Sequence, residues 1–147
     1  REALMIGASK AGIAFSNSSV ALVHGMSRPL GAYFHFAHGL SNAMLLPAVT
    51  EFSIKGSRSR YSVCAKAIGW ATEKDSENLA CQKLIEGLHK LNYDLNVPSP
   101  SEHGLSKIEY LQKIPTMATQ AINSGSPQNN PRIPSVEQII ELYKKIW

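Results

Sequence analysis

Two histidines, His24 and His38, have the residue type and spacing that could place two ligands on one metal ion. They lie fourteen positions apart, a separation of ~21 Å along a straight helix at ~1.5 Å per residue. Two imidazoles that share an ion must each come within ~2.1 Å of it, so the backbone has to turn back between them. Pro29 can interrupt the helix that carries His24, and Gly31 can end it. The sequence therefore predicts a bend in this interval and permits a shared ion.

The residues around the two histidines resemble the iron-containing (group III) alcohol dehydrogenase family. The likeness is carried by residues 12 to 52, which read GIAFSNSSVALVHGMSRPLGAYFHFAHGLSNAMLLPAVTEF. These contain a His-Gly-Met segment, a Leu-Gly, and a later His-Gly followed by Asn-Ala and Leu-Leu-Pro. Near the C-terminus, NNPRIPSVEQIIELYKKIW is similar to the last helix of that family with its preceding Asn-Pro-Arg. The resemblance spans nearly the whole chain.

The resemblance implies that His24 and His38 are ligands of Fe²⁺, with Zn²⁺ as the alternative metal. It also implies that the complete enzyme uses NAD or NADP to interconvert a primary alcohol or small diol and its aldehyde, with the metal polarising the alcohol oxygen. The family completes its metal site with an aspartate and a histidine at D-x-x-x-H spacing on an earlier helix, and no such pair occurs in these 147 residues.

A G-x-G-x-x-G or other glycine-rich phosphate loop is also missing from the sequence. We therefore expect residues 1–147 to be the C-terminal helical domain of a two-domain dehydrogenase. The N-terminal dinucleotide-binding domain, which would hold most of the cofactor, is expected to be absent. Cofactor-binding residues in this chain stay unknown, and the chain alone is expected to be inactive.

Three further residues near the histidines are candidates for the site. Arg28 stands four residues after His24, where many family members have a second histidine near the nicotinamide. Arginine cannot accept a proton near neutral pH, so we consider Arg28 a candidate catalytic residue that replaces this histidine without its proton chemistry. His35 and Phe34 are candidates for the substrate side. The aromatic run at 33–36 could line a substrate pocket or could pack the turn, and the sequence leaves both open.

The apolar residues recur at helical spacing along the chain, and no convincing strand run interrupts them. We predict an all-α single helical domain of about seven or eight helices, the C-terminal half of a two-domain dehydrogenase. SNSS at 16–19 indicates a break and an N-cap, and Pro115 suits the first position of a helix. Ser135 and Gln138 have the spacing of a capping box. The expected helices are 1–15, one from about 20 to the 33–37 connection, 39–54, 57–69, 75–92, a short turn at 106–113, one after Pro115, and one from 135 to the C-terminus.

The amino-acid composition limits the classes of protein to which the chain could belong. With 44% hydrophobic and 18% charged residues, the chain can bury a core, and it has neither a spanning segment nor a signal-like start. We expect a cytoplasmic location and no membrane partner. Cys64 and Cys81 lack a C-x-x-C spacing and are expected to be buried, reduced thiols.

The net charge of +4 does not by itself indicate a nucleic-acid partner, because the densest basic cluster, at 55–66, lacks interleaved aromatic residues. The partners that we expect are a small alcohol or aldehyde, the N-terminal domain of the same protein, and a second copy in a homo-oligomer. The alternative in another functional class is a non-catalytic helical interaction domain that has lost the metal.

Overall fold

Seven α-helices and one 3₁₀-helix make up the computed structural model, which describes all 147 residues. No strand forms, so the all-α prediction with seven or eight helices is confirmed. The α-helices are α1 (Glu2–Ser18), α2 (Leu22–Phe34), α3 (His38–Ile54), α4 (Arg58–Ala67), α5 (Glu77–Asp94), α6 (Lys107–Asn123) and α7 (Val136–Lys145), and the 3₁₀-helix is Ser126–Asn129.

The main core lies between α2, α3, α6 and α7, and two buried tyrosines join three of these helices by hydrogen bonds. The Tyr110 hydroxyl on α6 donates to the Tyr143 carbonyl oxygen on α7 at 2.8 Å. The Tyr143 hydroxyl in turn donates to the Met26 carbonyl oxygen on α2 at 2.7 Å. Burial raises the pKa of both phenols, which keeps each hydroxyl protonated as a donor. Three helices are thereby tied by a chain of two hydrogen bonds.

The reversal between the two histidines lies within the predicted 33–37 connection and not at Pro29 or Gly31. Helix α2 continues through Pro29 and ends at Phe34. His35 then adopts a left-handed conformation with φ 56°, and its N–H donates to the Gly31 carbonyl oxygen. Proline removes only one ladder hydrogen bond, and the buried side chain of the next residue, Leu30, keeps α2 packed against its neighbours. The expectation that Pro29 and Gly31 end the helix is therefore wrong, although the predicted bend exists.

Helix α6 corrects a second proline-based expectation. The sequence predicted a short turn at 106–113 and a new helix at Pro115, but one helix runs from Lys107 to Asn123 with Pro115 inside it. A proline in a helix interior costs about 3 kcal/mol. Five buried side chains on one face of α6 offset that cost by packing in the core: Tyr110, Ile114, Met117, Ala118 and Ala121.

Helix α1 corrects the predicted break at 16–19. It extends to Ser18, because Asn17 and Ser18 donate side-chain hydrogen bonds back to the Ile13 and Ala14 carbonyl oxygens. Helix α2 begins after Ala21, whose side chain cannot cap it. None of the α1 residues is buried. This helix therefore stands apart from the core that α2, α3, α6 and α7 share.

Helices α4 and α5 form a smaller packed pair beside α3. The Ser135 and Gln138 capping box at the start of α7 is present, as predicted. Both cysteines are free thiols, but only Cys81 is buried. Cys64 is exposed on α4, so the expectation that both are buried is wrong for that residue. None of the helices has the length and hydropathy that crossing a bilayer requires.

Candidate metal centre

Helices α2 and α3 bring the imidazole rings of His24 and His38 side by side. The ring centroids are 5.1 Å apart and the ring planes are inclined by 53°. Two imidazoles bound to one ion through ~2.1 Å bonds would have ring centres roughly 5 Å apart. The two rings therefore converge at a separation that suits a shared ion. His24 lies in the first turn of α2 and His38 opens α3, so both side chains project from the start of a helix.

The chain contains only these two converging donors. No group of three His, Cys, Asp or Glu side chains lies close enough to hold an ion. Neutral imidazoles are suitable ligands for iron and zinc, so the two residues fit the metal that the sequence resemblance implies. A complete site needs further donors from outside these residues.

Two residues in the first turn of α3 bond to His38. The Ser41 hydroxyl donates to the His38 carbonyl oxygen at 3.0 Å. The Asn42 amide nitrogen reaches the same carbonyl oxygen at 2.8 Å and the His38 Nε2 at 3.1 Å. The Asn42 Oδ1 is buried and has no hydrogen-bond partner. The sequence gave no sign of the contact between Asn42 and the ring.

The surroundings of His24 favour its uncharged form. Burial lowers the pKa of His24, and the neighbouring His38 and the Arg28 guanidinium lower it further. A neutral imidazole is the form that binds metal. Arg28 is exposed. Every ion pair in the structure has a lysine as its cation, so none of them includes Arg28. Arg28 thus contributes an unpaired positive charge one helical turn beyond His24.

An open cavity of about 590 Å³ adjoins His24 and runs between α1 and α3. Its polar lining includes Ser53 and Asn130, whose side chains bond to each other at 2.9 Å. Its apolar lining includes Phe15 of α1 and Leu46 of α3. The sequence reasoning missed Ser53 and Asn130. The Asn-Pro-Arg segment that contains Asn130 was recognised only as part of the family likeness.

The other candidate residues lie away from this cavity. His35 is exposed at the end of α2, and the Phe34 ring packs 5.8 Å from the Tyr110 ring. Phe36 is buried and meets the His103 ring edge-on at 4.7 Å. None of these residues lines the cavity at His24. The aromatic run packs the turn between α2 and α3, and the substrate-side roles of His35 and Phe34 stay predictions.

Comparison with known proteins places this arrangement in a family. The family model described as Fe-containing alcohol dehydrogenase family, C-terminal, matches residues 1–147. The chain is 34% identical to lactaldehyde reductase of Escherichia coli (strain K12) over 147 residues, which are 99% of this chain and 37% of that protein. It is 37% identical over 149 residues to an alcohol dehydrogenase of Thermococcus barophilus, covering 100% of this chain and 36% of that protein.

Solved structures agree with the sequence comparison. A crystal structure of 1,3-propanediol oxidoreductase superimposes with a TM-score of 0.85 at 27% identity, covering 93% of this chain and 35% of that chain. The iron-containing alcohol dehydrogenase from Thermococcus thioreducens gives a TM-score of 0.80 at 34% identity, covering 92% of this chain and 34% of that chain. The chain spans little more than a third of the length of these relatives. It belongs to the iron-containing alcohol dehydrogenase family, whose C-terminal helical domain it represents.

Proposed function

We propose that this chain supplies two metal ligands, His24 and His38, to an NAD(P)-dependent alcohol dehydrogenase. The complete protein would interconvert a primary alcohol or small diol and its aldehyde. The observation that carries this proposal is the 5.1 Å separation of the two ring centroids, which suits two imidazoles on one ion. Relatives named lactaldehyde reductase and 1,3-propanediol dehydrogenase support the substrate class.

The ion, Fe²⁺ or Zn²⁺, supplies Lewis-acid polarisation of the substrate oxygen when it is bound. The residues of this chain hold and orient that centre. His24 presents a neutral imidazole because burial and nearby positive charge lower its pKa. His38 is held by bonds within the first turn of α3. Neither histidine serves as the proton acceptor of the reaction, since each would use its one lone pair on the ion.

After the two ligands, Arg28 is the residue of this chain that we place nearest to the reacting groups. It lies one turn beyond His24 and has no carboxylate partner. A guanidinium cannot carry a proton away from the substrate. Its role would be to attract an anionic group of the cofactor or of the substrate. The negative charge of that group would then balance the positive charge of Arg28 next to the ion. His35 and Phe34 remain candidates for contacts with the substrate on the far side of the turn.

The remaining part of the protein would complete the site across the cavity between α1 and α3. That cavity opens beside His24 and has both polar and apolar walls. We propose that it receives polypeptide carrying the missing ligands and that a separate domain holds the dinucleotide, NAD or NADP. This division of the site explains why the chain, which covers 37% of lactaldehyde reductase, contributes two metal ligands and no phosphate-binding loop.

The test compares metal content and activity in the complete protein. His24→Ala and His38→Ala should each remove most of the tightly bound iron or zinc, measured by mass spectrometry of the metal, and should lower alcohol oxidation at least 100-fold. His89→Ala is the matched control, because His89 is exposed on α5 and does not line the cavity at His24. Unchanged metal content in the His24 variant would favour the alternative of an interaction domain without metal.

A further inference from the structure

The angle at which the chain enters α3 places His38, and no side-chain cap fixes that angle. The N-cap residue of α3 is Ala37, whose side chain cannot accept a hydrogen bond. A hydrophobic residue just before an N-cap often packs against the fourth residue of the helix, which fixes the angle of entry. Phe36 has the first of these positions, but the fourth residue of α3 is the polar Ser41. The angle of entry therefore depends on other contacts of Phe36.

Two such contacts hold Phe36 in place. Its carbonyl oxygen lies close to α2, where a Cβ added at Gly31 would come within 3.3 Å of it. Phe36 is 4% exposed, and its ring meets the ring of His103, with the ring centroids 4.7 Å apart and the ring planes inclined by 64°. An edge-to-face arrangement is favourable for two aromatic rings. The ring of His103 therefore supplies the contact that Ser41 does not.

The segment that carries His103 is itself anchored. Pro100 is fully buried, and Leu105 packs against the main core. The Ser99 N–H donates to the Glu102 carboxylate at 2.7 Å, and the Glu102 N–H donates to the Ser99 hydroxyl at 3.2 Å. The His103 N–H donates to the Ser99 carbonyl oxygen at 2.9 Å. The His103 ring, although exposed, thus stands on a fixed backbone from which it can hold another residue.

We infer that His103 is a positioning residue for the metal centre. Its ring holds Phe36, and Phe36 fixes the start of α3 two residues before His38. The 5.1 Å separation of the His24 and His38 ring centroids then depends on a turn that is distant in the sequence. His103 acts through Phe36 and is not itself a ligand. This inference rests on the proposed role of His38 as a ligand.

The first test measures how often the turn around Phe36 opens. The amides of His35 and Ser41 are hydrogen-bonded on either side of Phe36, so their hydrogen exchange in the complete protein, stripped of metal, reports this opening. In His103→Ala the exchange should become about fivefold faster, because an aromatic contact of typical strength changes an equilibrium by about that factor. His103→Phe keeps an aromatic ring and should restore the original rates.

The second test measures how firmly the metal is held. The complete protein is loaded with Co²⁺, and release of the ion into excess chelator is followed by absorption. His38 has to move away from the ion before the ion can leave. His103→Ala should therefore release Co²⁺ about fivefold faster than the original protein, and His103→Phe should release it at the original rate.

Two control variants separate positioning from general stability. His89→Ala removes an exposed histidine that belongs to none of the ring pairs in the structure. Leu84→Ala removes a buried side chain from the separate cluster between α4 and α5, so it should lower the melting temperature. Neither variant should change the exchange at His35 and Ser41 or the release of Co²⁺. Equal effects of Leu84→Ala and His103→Ala would reduce His103 to a general contribution to stability and refute the inference.

These outcomes separate the inference from the proposed function. If His38→Ala abolishes Co²⁺ binding while His103→Ala exchanges and releases the ion at the original rates, His38 is a ligand and His103 does not position it. Failure of His103→Phe to restore the rates would overturn the inference in the same way. If His38→Ala binds Co²⁺ as the original protein does, the proposed metal site itself fails.

Discussion

At the scale of single residues, position 28 carries an arginine where the family resemblance implies a histidine. An arginine side chain cannot exchange a proton with the substrate near neutral pH, whereas a histidine side chain gains and loses a proton near pH ~6.5. We expect Arg28→His in the complete protein to add an inflection near neutral pH to the pH profile of kcat. Arg28→Lys should add none, and it serves as the control. A profile that is identical for all three proteins would place Arg28 outside the reaction.

The second residue-scale prediction concerns the buried hydroxyl that joins α7 to α2. Tyr143→Phe removes the hydrogen bond to the Met26 carbonyl oxygen. The free energy of unfolding should fall by about 1 kcal/mol, measured by urea denaturation. Tyr93→Phe is the control, because Tyr93 is 83% exposed and its change should have no measurable effect. A Tyr143 variant as stable as the original would show that the bond contributes nothing net.

The sequence could nominate two histidines as candidate ligands but could not predict what surrounds them. Residue type and spacing permit a shared ion at His24 and His38, and the family resemblance singles these two out, so their role as ligands stays a prediction. The contact of Asn42 with the ring depends on a side-chain rotamer in the first turn of α3, and sequence does not specify it. Asn130 lies 77 positions from its partner Ser53, so only the packed fold brings the two together.

At the scale of elements, the close approach of the 131–132 loop to the end of α3 depends on a glycine. A Cβ added at Gly56 would lie 2.3 Å from the Pro131 carbonyl oxygen. Backbone cannot give way as a side chain can, so Gly56→Ala should destabilise the complete protein by about 1–3 kcal/mol. Lys55→Ala, at the exposed neighbouring position, is the control. Equal melting temperatures for the two variants would contradict this packing.

The stability of the connection between α4 and α5 should depend on pH through the carboxylate of Asp75. Its carboxylate accepts hydrogen bonds from the Lys83 ammonium and from the Thr72 N–H and hydroxyl. The Lys83 bond, followed by the bonds from Thr72, lowers the pKa of Asp75 below its ordinary 3.8. The contribution of the Asp75 carboxylate to folding stability is therefore complete above its ordinary pKa. It is lost as the pH falls through the lowered pKa of the folded state.

Thermal melts of the original protein and of Asp75→Asn measure this contribution. The variant should melt at a lower temperature at pH 7, and the difference should shrink on acidification below pH ~4. A difference that stays constant down to pH 3 would mean that the carboxylate charge is not what stabilises the connection.

The predicted helix boundaries were wrong at two prolines. The rule that proline ends a helix failed at Pro29 and Pro115, since each lies inside a continuous helix. The loss of one hydrogen bond is local, whereas the core contacts of α2 and α6 extend over several turns. Periodicity alone therefore predicted the number and type of helices correctly, but their boundaries depended on packing that the local sequence does not describe.

At the scale of the whole molecule, α1 is a helix with no buried residue. Its large apolar side chains are exposed, including Leu4 at 79%, Met5 at 70% and Ile13 at 66%. At 100° per residue these positions fall on different sides of the helix, and helices that are apolar all round are normally buried. Such a helix requires protein on more than one side, which the remainder of a longer polypeptide could supply.

The 147-residue chain on its own should therefore associate with itself through α1. Large exposed apolar surfaces are rare on monomeric proteins, and contact between copies would cover part of this one. We expect light scattering to give a mass that rises above 16.1 kDa with concentration. Replacing Leu4 and Ile13 together with glutamine should shift the chain towards the monomer, whereas Lys10→Gln on the same helix should not.

The complete protein provides the contrasting measurement, because its own polypeptide should already cover α1. Amide hydrogen exchange in residues 2–18 should be slow in the complete protein and fast in the isolated chain at low concentration, since a helix without packing partners opens readily. Fast exchange in both would mean that α1 projects into solvent in each of them. The apolar side chains of α1 would then belong to a surface for another molecule.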